Sequence, residues 1–382
     1  MRPVEFRKLI IVHVIFSLLA GLATAAAAAE PGADTNDLFS RYVIKESSDP
    51  VRNRPAWRRP ERVAILVPSF VRRLRPDYED WFQQAAGDAE LRFASSREEL
   101  RAAAVGADVV LGTCRALNAD MPELRWVQRY GVGVERCLSQ PALSGNDVLL
   151  TNTRGLSGPY IAEHVIAMTM MLSHSMHKYY RKQLDADWDR SREFTASVQP
   201  VSGKNMLVVG LGGIGTKVAE KAAALSMRVT AIRNSSRSGP EFVDYVGLSG
   251  ELLELAAKAD FVVNTAPLTA KTRGLYDKVF FSTMKDSAYF INIGRGKSVV
   301  TDDLVAALST GEIAGAGLDV TDPEPLPASH PLWKMPSVLI TPHTAGRSGD
   351  GSVDTLLFVR ENLRRYTAGE PMLNVVDRTL EY

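Results

Sequence analysis

The segment NMLVVGLGGIGTKVAEKAAAL combines residue types and a spacing suited to binding a phosphorylated cofactor. A strand-like apolar run leads directly into G-x-G-x-x-G, whose three glycines are Gly210, Gly212 and Gly215. Such glycines permit a tight turn, close approach of a pyrophosphate and close packing of the following helix on the strand. Free amide groups at the start of that helix, near Gly213 and Ile214, would face the phosphates. The segment therefore predicts a dinucleotide site.

The end of the next strand bears on the choice of dinucleotide. RVTAIR finishes at Arg233, where an acidic residue would hold the ribose 2′-hydroxyl of NAD. An arginine binds a 2′-phosphate instead, and Asn234, Ser235 and Arg237 supply further donors. The sequence thus predicts that NADP(H) is preferred and NAD(H) remains possible. The alternative is a solvated turn that accepts NAD indifferently.

Three further segments, NIGRG, DVTDPEP and PHTAG, contain Arg295, Glu324 and His343. Together with their surroundings they closely resemble the signature region of the D-isomer-specific 2-hydroxyacid dehydrogenases. That family includes glyoxylate and hydroxypyruvate reductases, phosphoglycerate dehydrogenase and D-lactate dehydrogenase. The resemblance extends from about Arg62 to Val376, and it is strongest from Val201 onward.

The resemblance makes these three residues catalytic, and their chemistry agrees. The planar guanidinium of Arg295 can bind the carboxylate and carbonyl of a 2-oxo acid and polarise the carbon that accepts hydride. An imidazole such as that of His343 can donate the proton that the alkoxide needs and recover it in the reverse direction. A carboxylate such as Glu324 beside the imidazole favours its charged form and fixes its tautomer.

The resemblance also implies the remaining contacts. It places nicotinamide contacts at Thr265, Pro267, Ile293 and Asp319, with His343 beside the cofactor. It places the substrate carboxylate on the loop YGVGVE, chiefly at Val132 and Gly133. It further implies a homodimer, with IAEHVIAMTMMLSHSMHKYY near the contact. No metal is predicted, because no carboxylate or thiol cluster accompanies His164, His174 and His177.

The elements that must position these residues alternate along the chain. Continuous apolar strands such as RVAILVP, ADVVLG, DFVVNTA and AYFINIG are separated by helix-length segments, which is typical of parallel sheets covered on both faces. We expect an α/β protein with two doubly wound Rossmann-like domains and the active site in the cleft between them. The predicted division is residues 62–155 and 343–382 for the substrate domain and 156–342 for the dinucleotide domain.

The amino-terminal part differs from the rest. Basic residues precede an apolar run, and an Ala-x-Ala pattern follows, so residues 1–29 are predicted to be a signal peptide. Residues 30–61 are polar and proline-punctuated, which favours a linker or surface arm. Export, most simply to the periplasm, is therefore expected; a cytoplasmic or membrane-anchored protein is the alternative. Cys114 and Cys137 are the two cysteines, and the sequence leaves open whether they pair.

Formal net charge is +1, so nothing favours nucleic-acid binding, and beyond the leader no membrane association is expected. We interpret the chain as an NADP(H)-preferring reductase of a small 2-oxo acid, reversible toward the D-2-hydroxy acid. A non-catalytic nucleotide-sensing protein on the same fold is the alternative, and a structural role outside the cytoplasm is a third possibility. The identity of the 2-oxo acid is beyond the sequence.

Overall fold

A computed structural model describes residues 41–144, 147–191, 198–234, 236–346 and 351–379. The predicted signal peptide, the first part of the predicted arm and Ser235 lie outside the described residues.

The strands, in chain order, are β1 (Glu46–Pro50), β2 (Arg62–Leu66), β3 (Glu90–Ala94), β4 (Val109–Gly112), β5 (Trp126–Arg129), β6 (Leu149–Thr151), β7 (Asn205–Val209), β8 (Arg228–Ile232), β9 (Tyr245–Gly247), β10 (Phe261–Asn264), β11 (Tyr289–Asn292), β12 (Gly315–Leu318), β13 (Val338–Ile340) and β14 (Pro371–Leu373).

The α-helices are α1 (Ser69–Leu74), α2 (Tyr78–Ala86), α3 (Arg97–Ala103), α4 (Glu135–Leu138), α5 (Gly158–Ser173), α6 (Met176–Leu184), α7 (Gly213–Ala224), α8 (Leu252–Ala256), α9 (Lys278–Thr283), α10 (Thr301–Thr310) and α11 (Gly351–Ala368). Short 3₁₀ turns occupy Val51–Asn53, Cys114–Ala116, Pro141–Leu143, Ser249–Glu251, Gly296–Ser298 and Pro331–Lys334.

Two parallel sheets organise the molecule, which confirms the predicted fold class. The first has the order β3-β2-β4-β5-β6, and the second has the order β13-β12-β11-β10-β7-β8-β9. The central strands are continuously apolar because helices cover both faces of each sheet. The edge strands β3 and β9 were not predicted from the sequence, because β3 contains Glu90 and Arg92 and β9 is only three residues long.

The carboxyl-terminal helix returns to the first sheet. Leu356, Val359 and Leu363 of α11 are buried in the same cluster as Val63 and Ile65 of β2. This packing brings the end of the chain back to its beginning, as the predicted discontinuous substrate domain requires. The exact boundaries of that domain stay a prediction.

The described part of the segment that was predicted to be a linker or surface arm packs against the rest of the protein. Strand β1 pairs antiparallel with β14, and the side chains of Tyr42 and Val51 are buried. Tyr42 also donates a hydrogen bond to Asp354 of α11. The fold therefore begins before Arg62, where the sequence placed its start. Pairing with a strand some three hundred residues away leaves no local periodicity that could have signalled it.

The long helical stretch expected after the first sheet is broken in two. Helix α5 has Pro159 in its first turn, as predicted, and ends before Ser175, which adopts a left-handed φ of 52°. Helix α6 then begins at Met176, although no glycine or proline marks the break. In the described part of the chain, no helix is both long and apolar enough to span a membrane.

Candidate functional site

The glycine loop between β7 and α7 fits a dinucleotide. A Cβ on Gly210 would lie 2.8 Å from the Ala266 nitrogen, and one on Gly215 would lie 2.1 Å from the Gly210 oxygen. A Cβ on Gly213 would meet nothing within 4 Å, so the outer side of the loop is open. Helix α7 begins at Gly213, and the amides of its first turn, including that of Ile214, have no partner within the helix. The loop is thus a cradle for a pyrophosphate.

Arg233 follows β8, at the position that the sequence predicts to face the adenosine ribose of the dinucleotide. The Arg233 Nη1 group donates to the Ser238 carbonyl oxygen at 3.1 Å, and no ion pair involves Arg233 among the described residues. Arg237 is engaged differently, because its guanidinium lies 2.8 Å from Glu251 and donates to the Tyr245 hydroxyl at 2.7 Å. Of the two predicted arginines, Arg233 is therefore the one without an ion-pair partner in the part of the chain that the structure describes.

The ion pair between Arg237 and Glu251 is reflected in the pKa of Glu251. Hydrogen bonds from Arg237, Tyr245 and the Leu248 amide lower the pKa of the Glu251 carboxyl to about 2. Nothing in the sequence indicates this partner, which follows Arg237 by fourteen residues. Asn234 also lies at this end of the sheet and accepts a hydrogen bond of 3.4 Å from Ser249.

The residues predicted to contact nicotinamide follow β10, β11 and β12. Thr265 donates to the Gly210 carbonyl oxygen at 2.6 Å and so supports the glycine loop. The Pro267 carbonyl accepts from Thr272, and Ile293 is buried behind the strand ends. Their contacts with the nicotinamide ring stay predictions.

Asp319, the remaining residue of that set, holds the loop that follows β13. Its buried carboxylate accepts a hydrogen bond of 2.6 Å from the Thr341 hydroxyl and one of 2.8 Å from the Thr344 amide. Its carbonyl oxygen accepts from the His343 amide at 2.8 Å. His164 of α5 adds a 3.0 Å contact to Thr341. Asp319 therefore positions His343, a role that the sequence did not indicate.

His343 and Glu324 are brought together, as predicted. Their Nδ1 and Oε1 atoms are 2.7 Å apart, and the two side chains are 48% and 43% exposed. His343 adopts a left-handed φ of 54°, which the bonds of Asp319 to the same loop support. With Nδ1 directed at the carboxylate, Nε2 is the nitrogen left to exchange a proton with a substrate.

Arg295 reaches across the cleft to the first sheet. Its Nε donates to Oε1 of Glu135 at 2.9 Å, and its Nη1 donates to the Gly294 carbonyl oxygen at 2.7 Å. Its Nη2 lies only 2.3 Å from where a Cβ on Gly133 would stand. The predicted carboxylate loop and the predicted guanidinium are therefore in contact, with Nη2 directed at the glycine.

Two residues of this contact are not indicated by the sequence. Glu135 is within the quoted loop YGVGVE, but nothing in the sequence links it to a residue 160 positions away. Arg129, at the end of β5, donates to the Gly133 carbonyl oxygen at 3.3 Å. Burial lowers the pKa of Arg129 and the nearby Arg295 charge adds to this, whereas Glu135 opposes it. Glu135 thus accepts a hydrogen bond from Arg295, and its charge favours the protonated form of Arg129.

The loop is anchored behind by a disulfide. Cys114, just after β4, and Cys137 in α4 are bonded to each other and buried. The Val132 carbonyl oxygen accepts a 3.0 Å hydrogen bond from Asn152 on the other side of the loop. Both sides of the loop that carries Val132 and Gly133 are therefore fixed to the first sheet.

His164 in α5 and His177 in α6 have different hydrogen-bond partners. His177 is buried with Nδ1 3.0 Å from the Met171 carbonyl oxygen, whereas His164 contacts Thr341. Across the described ranges, no group of three or more His, Cys, Asp or Glu side chains could hold a metal ion.

Taken as chemistry, the site has three parts at the carboxyl ends of parallel strands, the usual position for ligands in such sheets. An open glycine cradle accepts a dinucleotide, a guanidinium faces a glycine loop that can bind a carboxylate, and a histidine paired with glutamate can move a proton. Arg295 and His343 follow β11 and β13, which are two strands apart, or about 10 Å at the sheet. This arrangement suits hydride exchange with a small oxo or hydroxy acid.

Comparisons with known proteins agree with this geometry. The family model described as D-isomer specific 2-hydroxyacid dehydrogenase, NAD binding domain, matches residues 166–345. The glyoxylate reductase/hydroxypyruvate reductase of Mus musculus is 30% identical over 284 residues, covering 72% of this chain and 86% of the mouse protein. Glyoxylate/hydroxypyruvate reductase A of Photorhabdus laumondii is 32% identical over 275 residues, covering 69% and 83%.

Solved structures show the same fold. A D-isomer specific 2-hydroxyacid dehydrogenase from Xanthobacter autotrophicus Py2, in complex with NADPH and MES, aligns with a TM-score of 0.67 at 27% identity, over 85% of this chain and 100% of the other. An NADPH-dependent glyoxylate/hydroxypyruvate reductase from Sinorhizobium meliloti, in complex with NADP and sulfate, aligns with a TM-score of 0.70 at 25% identity, over 84% and 100%. With the cradle, the guanidinium and the His343–Glu324 pair in place, this chain belongs to the D-isomer-specific 2-hydroxyacid dehydrogenase family of NAD(P)-dependent oxidoreductases.

Proposed function

We propose that the protein is an NADPH-preferring reductase of a small 2-oxo acid of the glyoxylate or hydroxypyruvate type. The observation that carries the cofactor preference is Arg233, which stands at the end of β8 in place of an acid and lacks an ion-pair partner among the described residues. The NADPH-bound and NADP-bound relatives support the same preference. Turnover of a 2-oxo acid by the purified chain also separates this function from a nucleotide-sensing protein without catalysis.

The cofactor preference is tested by comparing kcat/KM for NADPH and NADH with glyoxylate as the common substrate. One charge-assisted hydrogen bond contributes roughly 1.5–3 kcal/mol, so NADPH is expected to be favoured by about tenfold to a hundredfold. Arg233→Asp should abolish or reverse that ratio. Arg237→Ala is the matched control and should reduce the ratio less, because Glu251 already neutralises Arg237. Equal efficiencies in the unmutated protein would refute the proposal.

The preferred size of the substrate can be inferred from the loop YGVGVE, which contains Val132 and Gly133. Arg295 Nη2 and Glu135 Oε2 lie 2.3 Å and 2.8 Å from where a Cβ on Gly133 would stand, so these two side chains leave little space beside that glycine. We expect monocarboxylic 2-oxo acids such as glyoxylate and hydroxypyruvate to be reduced more efficiently than dicarboxylic ones such as oxaloacetate. A panel of these acids, assayed with NADPH, tests this order.

The protein is proposed to act as a homodimer through the exposed apolar face of α6. Met176, Tyr180 and Leu184 recur every four residues on one side of that helix and are 53%, 58% and 68% exposed. A contiguous apolar face of this kind favours a protein contact. Leu184→Glu should shift the mass measured by light scattering from dimer to monomer. A monomer in the unmutated protein would contradict the proposal.

We also propose that the protein is exported to the periplasm. Its support is the charged and apolar leader followed by Ala-x-Ala, together with the Cys114–Cys137 bond, since disulfides persist mainly in oxidising compartments. Cell fractionation and amino-terminal sequencing of the isolated protein should find a chain beginning near Glu30 outside the cytoplasm. Full-length protein in the cytoplasmic fraction would refute export.

A further inference from the structure

Arg154 reaches from the first sheet to the glycine loop of the second. It follows β6, and its Nη2 lies 4.0 Å from where a Cβ on Gly212 would stand. No other described group lies within 4 Å of that position, apart from the immediate chain neighbours. Gly212 is the glycine that lets a pyrophosphate approach the backbone. The guanidinium therefore stands beside the space that the pyrophosphate must enter.

The glycine loop itself supplies no cation for those phosphates. The residues from Gly210 to Gly215 are uncharged, and Lys217, one turn further along α7, pairs with Glu220 at 2.8 Å. Amide groups and the helix dipole provide only partial charge against a pyrophosphate that carries two negative charges. A guanidinium matches phosphate oxygens in geometry and charge.

The backbone around Arg154 is tied to the substrate loop. The Arg154 amide donates to the Asn152 side-chain oxygen at 3.1 Å, and the same side chain donates to the Val132 carbonyl oxygen at 3.0 Å. Asn374, near the end of the chain, donates to the Arg154 carbonyl oxygen at 2.8 Å. A ligand bound to the Arg154 side chain is thus connected through one residue to the loop that carries Val132 and Gly133.

We propose that Arg154 binds the pyrophosphate of the dinucleotide, so that the substrate half of the protein supplies part of the cofactor site. The contact spans the cleft and couples cofactor binding to the position of the carboxylate loop. It requires a dinucleotide but does not depend on the choice between NADPH and NADH, because both contain the same pyrophosphate.

The test measures dissociation constants for NADPH, NADH and ADP-ribose by titration of the full chain. Arg154→Met keeps the aliphatic part of the side chain and removes the charge. It should raise the dissociation constants of all three ligands by a common factor of about tenfold or more. Arg154→Lys should recover part of the affinity. Arg228→Met is the matched control, because Arg228 is exposed at the opposite, amino end of β8, and it should leave the three constants unchanged.

The pattern across ligands distinguishes this proposal from the cofactor preference. If the assignment of Arg233 is wrong, only the ratio of kcat/KM for NADPH to that for NADH differs from expectation. If Arg154 does not contact the pyrophosphate, all three dissociation constants of Arg154→Met stay at wild-type values, and the inference is overturned. A loss confined to NADPH would also overturn it. The melting temperature of Arg154→Lys, which keeps the positive charge, shows whether a change in affinity is caused by loss of the folded state. If Arg154→Lys is unfolded, Arg154 has a structural role and the inference is overturned.

Discussion

Replacing Gly133 by alanine should disable the enzyme without unfolding it. The new Cβ would lie 2.3 Å from Nη2 of Arg295 and 2.8 Å from Oε2 of Glu135. Both atoms end flexible side chains, so the fold can be kept while they move. To reach an ordinary contact of 3.4 Å, the guanidinium must retreat by about 1.1 Å. Misplacement of a positioning group by about 1 Å can cost roughly a hundredfold in rate, or about 2.7 kcal/mol.

The assay is steady-state reduction of glyoxylate with NADPH, followed at 340 nm as the nicotinamide is oxidised. We expect kcat/KM to fall by about a hundredfold for Gly133→Ala while the dissociation constant for NADPH is kept, since the cofactor cradle lies on the other sheet. Gly250→Ala is the matched control, because a Cβ there would meet nothing within 4 Å. Wild-type kcat/KM in Gly133→Ala would show that Arg295 does not act from its position beside Gly133.

Three further outcomes are expected. His343→Ala should lower kcat by roughly 10²–10⁴-fold with NADPH affinity kept, and an active variant would remove the acid/base role. Glu324→Gln preserves size but loses the charge that faces Nδ1 at 2.7 Å, so kcat should fall by about tenfold or more, and an unchanged kcat would reject the pairing. The double variant Cys114→Ser, Cys137→Ser removes a disulfide that links residues 23 positions apart, so its free energy of unfolding should be about 3 kcal/mol lower. Urea denaturation under non-reducing conditions measures this difference. An unchanged denaturation midpoint would contradict the bond.

Features encoded within short segments could be predicted from the sequence. The strands with continuous apolar runs, the glycine cradle from Gly210 to Gly215, and Arg295, Glu324 and His343 each belong to such segments. Parallel strands buried on both faces must be continuously apolar, and functional residues of such sheets follow the strands immediately. A residue that directly follows such a strand is therefore expected at the carboxyl edge of a sheet, whereas the order of the strands within each sheet differs from their order along the chain.

The contacts that complete the site were decided only by the tertiary structure. Arg295 meets Glu135 from 160 positions away, Arg154 reaches Gly212 from another sheet, and Arg237 is held by Glu251. The sequence shows the charges of these residues but has no periodicity that relates elements on different sheets. Strand β1 is a similar case, since its partner β14 lies at the opposite end of the chain. Which charges neutralise one another, and which remain for a ligand, depends on distances that the packing of the two sheets creates.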